Sequence, residues 1–129
     1  MLSVSFRVQL KLLVPLFGLT LNAWPQPEWP RLDTAGFLPA ISAQLDDAKA
    51  AAVAHPRDPK AVGRLAMTLH AYQQYDAAAK VYARVRLLEP QNFEWLYLLG
   101  AAQKTQGGFE AAIDSFRSAL KIRPDDVAA

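Results

Sequence analysis

Apolar residues recur at helical spacing along the chain from Leu38 onward. Val62, Leu65, Ala66 and Leu69 fall on one face of a helix, and Leu96, Leu99, Gly100 and Gln103 fall on the same face one copy later. The pattern predicts first helices near residues 59–72 and 93–106. A second set, marked by Tyr75, Ala78 and Tyr82 and then by Phe109, Ala112 and Phe116, predicts helices near 75–89 and 109–122. Gln73-Gln74 and Gly107-Gly108 stand where the chain must turn between them. Pro90 and Pro124 close the second helices, because proline offers no N–H and clashes with the preceding turn.

These features share one period. Pro56, Pro90 and Pro124 are 34 residues apart, and at that offset Leu65 meets Leu99, Ala66 meets Gly100, Tyr75 meets Phe109, Ala78 meets Ala112, and Tyr82 meets Phe116. Large and small residues keep their places in both copies, as expected of a repeated helical hairpin. Ala66 or Gly100 on the first helix, and Ala78 or Ala112 on the second, let the pair approach closely. The period extends weakly back over residues 38–56, where Ala48, Ala51, Ala52 and the phased Pro56 describe the second helix of a degenerate copy.

The sequence resembles the tetratricopeptide repeat family. Leu96, Leu99 and Gly100, followed by Ala112, Phe116, Ala119 and Pro124, match that family's motif closely. The copy at 59–92 is looser, with Val62, Ala66 and Val85 at three of its positions. The resemblance implies an all-α fold, a right-handed α-α superhelix of two full repeats (59–92 and 93–126) preceded by a half repeat. It also implies a non-catalytic scaffold whose first helices line a concave groove for a protein or peptide partner. Carried over by position, the groove residues are Lys60, Gly63, Arg64, Met67, His70 and Ala71 from one repeat. The next repeat supplies Glu94, Tyr97, Leu98, Ala101, Lys104 and Thr105. Family members that clamp a chaperone's C-terminal carboxylate use Lys and Asn at positions held here by Gly63, Met67 and Leu98, so that specificity is not expected.

The first residues are of another kind. Arg7 and Lys11 precede an apolar run, Leu12–Leu21, broken by Pro15 and Gly18, and Leu21-Asn22-Ala23 offers a small residue for cleavage. Residues 1–23 are therefore expected to be a secretory signal or, uncleaved, a membrane anchor, although a spanning helix needs about 20 apolar residues. Both readings put the chain outside the cytoplasm: periplasmic or extracellular if cleaved, held on the inner membrane if not. Residues 24–37, with Pro25, Pro27 and Pro30, read as an extended linker, and Trp29 is placed to fold back over the first helix.

Composition then narrows the chemistry. The chain has 129 residues, 14 basic and 12 acidic, and the excess of two is Arg7 and Lys11. The balanced remainder carries no electrostatic footprint for nucleic acid. The absence of cysteine removes disulfides, thiolate metal sites and a thiol nucleophile. His55 and His70 have no second ligand at helical spacing, so no metal, cofactor or catalytic residue is expected. Ser115 and Ser118 have no partner base, Asp46-Asp47 reads as a solvated patch near Lys49, and Gly107-Gly108 is not a phosphate loop.

Two and a half repeats are few for such an array. The last helix turns one apolar face towards a helix that the sequence does not supply, so a longer array or completion by another subunit is expected. Three readings follow. The chain is an exported interaction module, the front of a larger protein whose later domain acts, or a structural array anchored at the membrane.

Overall fold

The structure, a computed structural model, describes residues 28–126, and the expected signal or anchor at 1–23 lies outside them. Five helices follow in order: α1 (Pro39–Ala54), α2 (Pro59–Ala71), α3 (Tyr75–Leu88), α4 (Phe93–Thr105) and α5 (Phe109–Ile122). Each packs on the next in the chain, α1 on α2 through to α4 on α5. None of the described helices is long and apolar enough to cross a membrane.

The period is written into the backbone. Asp58 and Asn92 cap α2 and α4 alike, each side chain accepting from the N–H two residues on at 2.9 Å. Pro59 sits at the start of α2, where its missing N–H costs nothing. The turn leading into each repeat is also copied: Asp58 N–H donates to the His55 carbonyl, Asn92 N–H to Glu89, and Asp126 N–H to Arg123. Within the hairpins, Gln73 and Gly107 occupy the same left-handed position, at φ 60° and 85°. The following N–H closes back on Leu69 and on Gln103, each at 2.8 Å, in the manner of a left-handed helix terminus.

One core runs through α1 to α4. Leu45, Val62, Leu65, Leu69, Val81, Tyr82, Val85 and Leu99 are almost wholly buried in it, beside small residues such as Ala66 and Ala78 that let the helices close in. A second, smaller cluster of Phe93, Leu96 and Ala119 sits at the α5 end, flanked by Tyr97 and Ile122.

The segment before α1 is not a free spacer. Trp29, Leu32 and Phe37 pack against the main core. The Arg84 guanidinium lies 3.8 Å from the Trp29 ring centroid. Lys49 Nζ donates to the Pro30 carbonyl at 3.2 Å. Phe37 meets Tyr72 edge-on, and Tyr72 donates to Gln44 on α1. Residues 29–37 thus form a strap tying α1 to α2 and α3, and Trp29 rests on α3 as well as beside the first helix. Prolines prevented a helix here, but they did not prevent docking.

Candidate partner-binding surface

The expected groove lies on the first helices, α2 and α4. Gly63 and Trp95 bring these two together. A methyl group at Gly63 would fall 2.3 Å from the Trp95 ring, so the indole rests directly on the α2 backbone. Its ring N–H donates to Glu89 at 2.6 Å, and Glu89 also accepts from Asn92. This seat, which the sequence reading did not single out, sets the spacing of the two helices. Its one trace in the sequence is a tryptophan where the preceding copy has Ala61.

Around the seat, the anticipated residues separate into two groups. On α2, Lys60, Arg64, Met67 and Ala71 are exposed, whereas Gly63 is buried under Trp95. On α4, Glu94, Lys104 and Thr105 are exposed, and Leu98 and Ala101 are half-buried. Leu98 also touches the main core, and the Thr105 hydroxyl is occupied by the Ala101 carbonyl. The accessible surface is therefore a short apolar strip of Met67, Leu98 and Ala101, edged by the cations Lys60, Arg64 and Lys104 and by one anion, Glu94.

His70 and Tyr97 spend their rings elsewhere. His70 points back to α3, edge-on to Tyr75 and Tyr82 at centroid distances of 5.4 and 5.8 Å. It shares a 3.3 Å hydrogen bond with the Tyr82 hydroxyl. Burial lowers the imidazole below its ordinary pKa and pushes the Tyr82 phenol up. Tyr97 stacks on Phe93 at 5.9 Å and leans on Phe116 at 5.7 Å, so it belongs to the α5 end. Among the described residues no cluster of three or more metal-ligating side chains occurs.

Hollows open away from this strip. One of about 530 Å³ is lined by Asn92, Phe93, Glu94, Ile122 and Arg123, with the Arg123 guanidinium 4.5 Å from the Phe93 ring centroid. Another, of about 420 Å³, lies between α3 and α5, beside Arg86, Leu87, Ser118 and Lys121.

No family model and no curated protein sequence matches the chain. Solved structures do. MamA from MSR-1 is 31% identical with a TM-score of 0.62, the match covering 68% of this chain and 51% of that one. MamA from AMB-1 is 31% identical with a TM-score of 0.63, covering 68% of this chain and 48% of that one. MamA is a tetratricopeptide-repeat protein. The chain is a tetratricopeptide-repeat array. It spans about half the length of the MamA structures it matches. In this array the small residue of the motif does what close packing requires: a methyl group on Gly100 would fall 2.8 Å from the Phe116 ring.

Proposed function

We propose that the chain is a non-catalytic interaction scaffold that takes a peptide segment of a partner protein along α2 and α4. The observation that carries this is the Met67–Leu98–Ala101 strip edged by Lys60, Arg64 and Lys104. An exposed thioether beside a half-buried leucine offers adaptable apolar contact. Arginine is a common anchor at interfaces. The chemistry suits a peptide with an apolar residue flanked by Asp or Glu. The likeness to MamA, a tetratricopeptide-repeat scaffold, supports the reading.

Peptide display on the intact chain should enrich such acidic-apolar segments. Arg64→Glu combined with Met67→Glu should abolish capture. Both side chains are exposed, so the thermal unfolding curve should not move. Equal capture by the variant and the parent sinks the groove reading.

We also infer that residues 1–23 direct export, as a cleaved signal or a retained anchor. The intact mass of the protein recovered from its own cells should match residues 24–129 in a soluble exported fraction, or residues 1–129 in the membrane. Recovery of the full chain from the cytosol would overturn the export reading. The open face of α5 gives the same scaffold a second place to associate.

A further inference from the structure

Phe109, Ile113, Phe116 and Leu120 lie on α5 at steps of four, three and four, the spacing of a helix-pairing seam. Phe109 is 64% exposed and Ile113 48% exposed, while Phe116 and Leu120 are half-buried. The equivalent positions of α3, one period earlier, are Tyr75, Ala79, Tyr82 and Arg86. There α4 packs on the helix, and Ala79 and Tyr82 retain only 7% and 1% exposure. The face is therefore one that this architecture covers.

What covers it on α5 is not a copy of α4. Ala79 is small enough for α4 to close on α3, but its counterpart on α5 is Ile113. Arg86 is charged, but its counterpart is Leu120. A hairpin seated as α4 sits would meet a larger side chain at the first position and a fully apolar seam at the second. The charges beside the seam point to a different occupant. Glu110 and Asp114 flank its N-terminal half, Arg117 and Lys121 its C-terminal half. Laid antiparallel about a two-fold axis between Ile113 and Phe116, two α5 helices set each acidic half against the other's basic half. A parallel pair would set like against like. The pair Asp114–Arg117 within the helix, 3.7 Å apart and well exposed, is too weak to oppose the exchange.

We propose that α5 pairs antiparallel with α5 of a second copy of this chain, forming a two-fold dimer through the Phe109–Leu120 seam. This deepens the scaffold reading by naming a partner for α5. It uses none of the α2–α4 strip, so either can fail alone.

The test is sedimentation velocity of the full chain across a micromolar concentration series, with circular dichroism to verify helix content. The parent should show a monomer–dimer equilibrium, and Ile113→Asp should be monomeric with unchanged helicity. Glu110→Lys and Arg117→Glu should each weaken the dimer by about tenfold or more, since each creates two like-charge contacts. The double variant should recover the parent's affinity. A monomeric parent overturns the proposal. So does a dimer that survives Ile113→Asp, which would place self-association outside α5. Failure of the double variant to recover overturns the antiparallel register.

Discussion

The two hairpin turns show how one residue's backbone preference is spent. Gln73 and Gly107 hold the same left-handed conformation, and the chain closes the same 2.8 Å hydrogen bond after each. Glycine takes that conformation freely. A side chain pays about 1–2 kcal/mol for it. The period aligned the two turns, but only the glycine copy announced its geometry in the sequence, because glutamine carries no mark of a left-handed position. The array holds Gln73 there because the cooperative packing of α2 on α3 outweighs the local cost. Gln73→Gly should therefore stabilise the protein by up to about 1 kcal/mol, the relief of strain being reduced by the extra entropy glycine has in the unfolded chain. Chemical denaturation would read this as a higher midpoint with an unchanged slope. A lower midpoint would mean that the Gln73 side chain itself contributes a contact larger than the strain.

Between elements, the same position can be filled by different chemistry. Leu69 on α2 and Val81 on α3 are buried in the main core. Their counterparts one period on are Gln103 and Ser115, joined by a 2.7 Å hydrogen bond from the Ser115 hydroxyl, with Ser115 only 2% exposed. The sequence showed Gln103 breaking an apolar face and Ser115 lacking a base. It could not show that each answers the other, because their partnership is a contact between helices. The strap is a similar case. Its prolines correctly forbade a helix, but the seating of Trp29 under Arg84 depends on α3, which follows in the chain 55 residues later. For the Gln103–Ser115 pair the energetics are asymmetric. Removing one partner leaves a buried polar group unsatisfied, at about 1–3 kcal/mol, while replacing both with apolar groups of similar shape is near neutral or favourable. Gln103→Leu and Ser115→Val alone should each lower stability, and the double variant should match or exceed the parent. A double-mutant cycle measured by thermal unfolding checks the coupling. Strict additivity of the two changes would show that the hydrogen bond contributes nothing to the α4–α5 joint.

Across the whole molecule, the repeat period foretold the helices and their order because each helix packs on its neighbour along the chain, so local pattern and global fold coincide. The partner surface was less legible. His70 and Tyr97 sit at groove positions of the repeat, yet side-chain packing turns them to Tyr82 and to Phe116. Linear connectivity also governs how the molecule opens. The main core joins α1 to α4, and α2 and α3 each bury six residues, whereas α5 buries only Ala112, Ser115 and Ala119 and takes no part in that core. At the other end α1 also buries three residues, but they belong to the main core, and the strap holds the helix with Lys49 and Phe37. Local opening follows the density of such contacts. In dilute solution, amide exchange should be fastest in α5, slower in α1, and slowest in α2 and α3, whose amides should open only with global unfolding. If α5 pairs with a second copy, raising the protein concentration should slow exchange in α5 and leave α2 and α3 as they were, because binding protects the surface it covers by mass action. Equal protection of α5 and α3 at high dilution would instead mean that the second hairpin is coupled to the main core as strongly as α3 is, and that the array opens as a single unit.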